Sequence, residues 1–579
     1  MVEDGTSSPD VLPTLSESLL KQAQQLCHRK NHITQVISNL DLPDDIFTDQ
    51  YANAYPFEVD FEAILRVILY QKVCRFSQRE VCSRIRRWAY IQLRFGLDRT
   101  PRQQTLSYTY RNRLSLDDRQ TLTNVADEIR RVATAHDLLS APDEGPPIEP
   151  HERGEKGLTE DEIRRATRIA RDRAFTEFTT NRAANATYED EVYWEIQAYL
   201  SMTAHGKRRT KRRATRLSSR SAMPHGDTHT RTIKKMGAPD PQTSLSDFTG
   251  PNGLQKWKRI RQTLLDPFDG AIENLIKETD FKDELREPVN VAIDVTPWRF
   301  YPSPWKNRDL EIPKKNFPTM VNGYSGPSPE NPTKEYERGY KFATLTVVGK
   351  DTPLVLAIEP VKENSNWEGT NVEGMMKAEV VDRLLAKAEQ YVDINKVMAD
   401  REFDAHAVRD GIDRKGLTYL IPKRVSAAQD VEDIENLSSH SSADIAVKNE
   451  VPLTVDRRTH GVDFIYFASN EETDSYGILL TNADVPVERA PGLKAQYKNR
   501  WMIENEYKSI KEHFLPRTTS SDYRVRLFYF VAAVLMYNVW RLTNLLLRMC
   551  FDVHLGEKPP MPAGEVTELL AFFLGPGYG

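Results

Sequence analysis

The chain has 579 residues, long enough for several domains, and its 39% hydrophobic and 28% charged side chains exclude global disorder. Its four cysteines (Cys27, Cys74, Cys82, Cys550) form no C-x-x-C pair, which argues against a disulfide scaffold, a zinc ribbon or an iron–sulfur protein and for a reducing interior. Net charge is −5, which taken alone argues against a polyanionic partner, but the charge is unevenly spread.

Residues 1–10 have no basic segment followed by an apolar one, so no secretory signal is expected. Residues 1–60 are acidic, with 10 acidic against 3 basic side chains. Residues 72–113 and 201–240 each carry 11 basic against 2 acidic side chains, the second including Lys207, Arg208, Arg209, Lys211, Arg212 and Arg213. A charge run can be merely a solvated face. Two basic clusters in an acidic chain favour a polyanion, most simply nucleic acid.

Residues 60–74 are predicted to form an apolar-periodic helix, followed by a capping box at Ser77 and Glu80. A second box is expected at Thr100–Gln103, opening a helix over 101–113 that carries Arg102, Gln103 and Arg111. Helix, turn near Gly96 and basic polar helix suit a helix-turn-helix-like DNA reader; a helical bundle with a basic face is the alternative. Residues 141–156 read as a Pro/Gly linker, and a third box at Thr159 and Glu162 opens another arginine-rich helix. Residues 216–252 lack apolar periodicity and are expected as loop, and 253–280 return to helix, giving a basic helical region over 157–285.

From about residue 288 strands alternate with helices. Val291-Ala292-Ile293 runs into Asp294, and strands are expected at 341–349, 353–360, 396–399 and 417–421. Helices are expected at 371–391 and 404–415, a β-rich insertion at 425–490, long helices at 493–515 and 522–549, and a tail after 551. The apolar run 527–540, broken by Asn538, is shorter than the roughly 20 residues a bilayer needs and reads as a buried helix.

Asp294 and Asp400 each follow a short apolar run at the end of an expected strand, where a sheet displays side chains into a crevice. Tyr497, Arg500, Glu504 and Lys511 fall on one stripe about 60° wide at about 100° per residue, with Glu506 on the opposite side. Trp298 and Trp501 flank these residues and are candidates for base stacking or core. His225-x-Asp227-x-His229 and Cys27-His28 with His32 have ligand-like spacing without a full set of partners, and are expected as loop or surface. No Walker glycine loop occurs, so no nucleotide cofactor is expected.

Tyr497-x2-Arg500-x3-Glu504-x6-Lys511 resembles the signature of the insertion-sequence transposases of the Asp-Asp-Glu (DDE) type. Asp400-Arg401-Glu402-Phe403 and Val291–Asp294 resemble that family's other two motifs, and residues 516–520 resemble archaeal members. The resemblance covers about 288–545. It implies an α/β RNase H-like core, a mixed sheet with flanking helices, interrupted by a β-rich insertion and preceded by mainly helical DNA-binding regions. It implies Asp294, Asp400 and Glu504 as catalytic ligands of two Mg²⁺ ions, with Mn²⁺ able to substitute, and Tyr497, Arg500 and Lys511 as phosphate contacts. The expected activity is cut-and-paste transposition by a cytoplasmic, nucleoid-associated prokaryotic protein that pairs two DNA ends as a homodimer. An inactive DNA-binding protein of the same fold, or a nuclease without strand transfer, is the alternative. The Pro-rich segment 297–332 departs from the family pattern.

Overall fold

The structure is a computed structural model. It describes residues 11–42, 46–51, 59–139, 158–175, 186–202, 223–236, 253–277, 281, 285–299, 322–325, 337–350, 352–361, 377–425, 427–439, 445–455, 458–468, 476–520, 522–550 and 559–573. The linker 141–156, the cluster Lys207–Arg213 and all but the first three residues and 322–325 of the Pro-rich segment lie outside them.

The first part is helical: α1 (Val11–Arg29), α2 (Ile33–Ser38), α3 (Phe61–Cys74), α4 (Gln78–Arg87), α5 (Ala89–Arg94), α6 (Gln103–Tyr108) and α7 (Leu116–Ala135). The box at Ser77 and Glu80 forms, with both reciprocal hydrogen bonds. The expected box at Thr100 does not. Its hydroxyl donates to Gln92 Oε1, and α6 starts at Gln103 behind Arg102, whose side chain makes no cap, then runs into a π-helical turn over Thr109–Arg113. Part of the basic cluster 72–113 is also internal. Arg84 is buried with Nε donating to Tyr70 Oη, and buried Arg113 makes a two-pronged pair with Asp49. Arg102, Gln103 and Arg111 are exposed, as are Arg79 and Arg86 of α4.

Next come α8 (Glu160–Ala174), opened by the Thr159 box, and α9 (Glu191–Met202), α10 (Gly226–Met236) and α11 (Gly253–Lys277). The segment expected as loop therefore contains α10. Its buried His229 stacks on Tyr193 at 5.9 Å, so this histidine is a packing residue and not part of an exposed loop. His32 likewise lies inside, where Nδ1 accepts from the Thr34 N–H as the cap of α2.

The sheet comprises β1 (Val289–Arg299), β2 (Asn322–Ser325), β3 (Glu337–Val348), β4 (Val355–Val361), β5 (Ile394–Ala399), β6 (Thr418–Pro422), β7 (Ile445–Val455), β8 (Arg458–Ala468) and β9 (Tyr476–Thr481). Its core runs β4-β3-β1-β5-β6, with the first three antiparallel and β1, β5 and β6 parallel. That is the RNase H-like strand order. Helix α12 (Lys377–Ala388) lies between β4 and β5, and helix α13 (His406–Arg414) joins the parallel strands β5 and β6. Residues 425–490 hold α14 (Ala428–Ser439) and the meander β7-β8-β9, and β9 pairs antiparallel with β6. The segment between Asp400 and Glu504 thus extends the core sheet.

One detail of β1 differs from expectation. The strand continues five residues past Asp294, and Pro297 pairs with Lys341 of β3. The ladder to β5 stops at Ile293–Ala399, so beyond that point β1 has lost one neighbour and tolerates a residue without an N–H.

The C-terminal helices close the core: α15 (Ala490–Lys498), α16 (Trp501–Ser509), α17 (Tyr523–Cys550) and α18 (Ala563–Phe573). Helix α17 is long and apolar enough to span a membrane but is buried, packed between the sheet, where Phe530 stacks on Phe342 at 4.2 Å, and helices α8 and α11. The expected tail contains α18, which packs on α9.

Candidate active site

Asp294 is placed by β1, its Cα opposite Thr344 of β3. Its Oδ1 accepts from the Val295 N–H at 2.8 Å. Burial pushes its carboxyl up to about 6; the Val295 N–H and the Arg500 guanidinium oppose this, and Asp400 and Glu402 add to it. Asp400 follows the last residue of β5 and caps the short 3-10 turn Arg401–Phe403, with Oδ1 accepting from the Arg401 N–H at 2.6 Å. Phe403 plugs that turn into the core, and Lys377 Nζ donates to the Glu402 carbonyl at 2.6 Å from α12.

Glu504 comes from α16. Helices α15 and α16 are separated by Asn499 and Arg500. At Asn499 and Arg500 the backbone tightens to i→i−3 hydrogen bonds, and the junction leans on Gly349 of the β3–β4 turn, whose N–H points at Met502 Sδ, 3.3 Å away. The junction carries Arg500 inward. Its buried guanidinium donates from Nη2 to Glu504 Oε1 at 2.6 Å, stands 3.7 Å from Asp294 Oδ2 through Nη1, and lies 5.6 Å from the Tyr497 ring centroid. One cation therefore spans the first and third carboxylates, and Asp400 lies within its field. Tyr497 Oη donates to the carbonyl of Ala399, the residue before Asp400, at 3.3 Å.

Lys511 sits on a second π-helical turn, Ile510–Phe514, and is exposed. The surrounding protein lowers its ammonium pKa and Asp294 opposes that shift. Carbonyls of the turn receive hydroxyls from α9 and α18: Ser201 Oγ donates to Phe514 O at 2.5 Å and Thr567 Oγ1 to His513 O at 3.3 Å. Trp501 is 61% exposed beside Arg500, whereas the Trp298 ring is half-buried under Arg526, 4.6 Å away. The two tryptophans are thus not equivalent.

Spacing missed Glu506, Tyr507 and Thr344. Glu506 does face away from Glu504, but into the protein: it is fully buried, and burial pushes its carboxyl up to about 8 against the Thr346 and Thr344 hydroxyls. The available signal was the stripe Ile503, Glu506, Tyr507 and Ile510, spaced i, i+3, i+4, i+7, which is a core-facing pattern containing one acid.

Three carboxylates around one cationic position supply the hard oxygen donors that Mg²⁺ or Mn²⁺ prefers, so the residues fit a divalent ion. Among the described residues no three acidic, His or Cys side chains are yet drawn into one ligand cluster. Arg500 stands between Asp294 and Glu504.

Residues 286–539 match the family model of the transposase DDE domain, a stretch containing all three carboxylates. No curated protein matches the chain. Among solved structures the chain is similar to piggyBac transposase, seen by cryo-EM in a synaptic complex with hairpin DNA: 12% identity, 72% of this chain and 78% of that chain covered, TM-score 0.43.

Proposed function

We propose that this protein cuts DNA at the ends of a mobile element and joins the freed 3′-OH to target DNA. It would belong with the transposases that carry the Tyr-x2-Arg-x3-Glu-x6-Lys signature, close to archaeal members. The observation that carries the proposal is the meeting of Glu504 and Arg500 with Asp294 beside Asp400, within the stretch that matches the transposase DDE domain.

Asp294, Asp400 and Glu504 would hold Mg²⁺ or Mn²⁺, which when bound makes water nucleophilic at neutral pH and neutralises charge developing on a phosphodiester. The chain's own residues do the rest. Arg500 and Lys511 offer cations to phosphates beside the scissile bond, the guanidinium as a flat multi-donor group and the ammonium as a point charge. Tyr497 supports the Arg500 guanidinium from one side and completes the phosphate-contact set. The exposed Trp501 ring offers a face to an unpaired base, a role Trp298 cannot share while Arg526 covers it.

End recognition falls to Arg102, Gln103 and Arg111, joined by Arg79 and Arg86, and to the basic cluster Lys207–Arg213 outside the described residues. Excision requires two ends to be held together, so a homodimer on double-stranded DNA is the working assembly, within the cytoplasm at the nucleoid and without a nucleotide cofactor.

The test is strand cleavage of duplexes carrying the inverted repeats beside the coding region, with Mg²⁺ or Mn²⁺. Asp294→Ala, Asp400→Ala and Glu504→Ala should each lower cleavage by about a thousandfold or more while end binding persists. Cleavage at the wild-type rate by any one variant removes that residue from the set. Binding without breakage by the wild type under every divalent metal would leave a DNA-binding protein, and breakage without joined product a nuclease.

A further inference from the structure

Behind the three carboxylates lies a buried polar tie between the helix that carries Glu504 and the main chain of Asp294. Tyr507 Oη donates to the Asp294 carbonyl at 2.7 Å. The same oxygen is 2.8 Å from Thr344 Oγ1, and Thr344 Oγ1 is 3.4 Å from Glu506 Oε1. With the tyrosine proton committed to the carbonyl, the single Thr344 proton serves either the tyrosine oxygen or Glu506 Oε1. Thr344 is 0%, Glu506 1% and Tyr507 7% exposed, so none of them lies on a surface that DNA could reach.

The position of this tie matters. The β1–β5 ladder ends at Ile293–Ala399, so Asp294 is the first residue of β1 without a parallel neighbour. Tyr507 joins the strand at that residue. It lies one helical turn after Glu504, and residues three apart on a helix are neighbours. The tie therefore links the backbone of the first carboxylate to the helix of the third. Tyr497 does the same kind of work at the other strand, donating to the carbonyl just before Asp400.

We propose that Tyr507, seated on Thr344, is a positioning residue that sets the separation of Asp294 and Glu504. This rests on the reading of Asp294, Asp400 and Glu504 as metal-holding carboxylates. Tyr507→Phe removes one oxygen from a buried site and keeps the ring. Groups that orient metal ligands from behind commonly change metal affinity or activity by about 10–100-fold when removed.

The experiment compares full-length wild type, Tyr507→Phe, Thr344→Val and Thr344→Ser. It reads Mn²⁺ affinity by calorimetry, amide hydrogen exchange of peptides spanning 289–299, end-DNA affinity, and single-turnover cleavage at low and high Mn²⁺. Tyr507→Phe and Thr344→Val should weaken Mn²⁺ binding about tenfold and speed exchange around Asp294. Their slowed cleavage should recover in part at high Mn²⁺, with end-DNA affinity unchanged. Thr344→Ser keeps the hydroxyl and should behave as wild type. Unchanged exchange in Tyr507→Phe overturns the tie; faster exchange with wild-type Mn²⁺ affinity overturns the positioning role. Thr344→Val decides the same points if Tyr507→Phe does not fold. Wild type that binds Mn²⁺ but fails to cleave DNA counts against the function proposed above, while the exchange and affinity arms still judge Tyr507.

Discussion

Replacing Asn538 by leucine would make the apolar run of α17 continuous, yet the structure says it should loosen the core. Asn538 is fully buried and its amide does a two-sided job: Oδ1 accepts from the Val355 N–H at 3.1 Å and Nδ2 donates to the Val355 carbonyl at 2.9 Å. Val355 opens β4, a strand whose only ladder partner among the described strands is β3. The asparagine thus serves as a one-residue neighbour for that edge. Leucine gains at most about 1.5–3 kcal/mol from its apolar surface. It leaves a buried N–H and a buried C=O without partners, at about 1–3 kcal/mol each. The orphaned backbone groups win, and the net loss should be about 1–3 kcal/mol. A chain of several domains has no single unfolding free energy, so the assay is local. Amide exchange of a peptide covering 352–361 should speed by about 5- to 150-fold in Asn538→Leu while exchange in α3 and α7 stays as in wild type. Exchange within threefold of wild type across β4 would refute the reasoning.

Two other perturbations follow from the same kind of accounting. Burial and, less strongly, Arg84 push His32 down to about 4. Its contribution is therefore complete above the ordinary histidine value of about 6.5 and is lost as pH falls towards 4, because only the unfolded chain takes up the proton. Between pH 6.5 and 5 the helical region should lose about 1.5 kcal/mol, read by amide exchange of α2 and α3, and His32→Asn, which can still cap α2, should flatten that slope. Gly349 has φ +76°, and a Cβ there would stand 3.2 Å from Asn499 Nδ2. Gly349→Ala should cost about 1–2 kcal/mol and, by pushing the junction that delivers Arg500, slow cleavage more than it weakens end binding. Equal stability and wild-type kinetics in that variant would show that the turn does not support the junction.

What the amino-acid order determined alone was whatever depends on neighbours a few residues away. The reciprocal caps at Ser77 and Thr159, the apolar runs leading to Asp294 and Asp400, and the shared stripe of Arg500 and Glu504 are all set by spacing along one segment. Tertiary packing decided the outcome wherever a group had a choice of partners. Thr100 had the sequence of a cap, but Gln92 took its hydroxyl. Arg84 and Arg113 counted as surface charge until Tyr70 and Asp49 drew them inside. Glu506 looked like the idle side of a helix, and only the docking of that helix on Thr344 made it a buried acid. The meander after β6 could have folded as a separate unit; the free edge of β6, with unpaired N–H and C=O groups to satisfy, made it part of the sheet. Local spacing sets which conformations a segment favours, but a polar group far from its partner in the chain finds that partner only when the core closes around both.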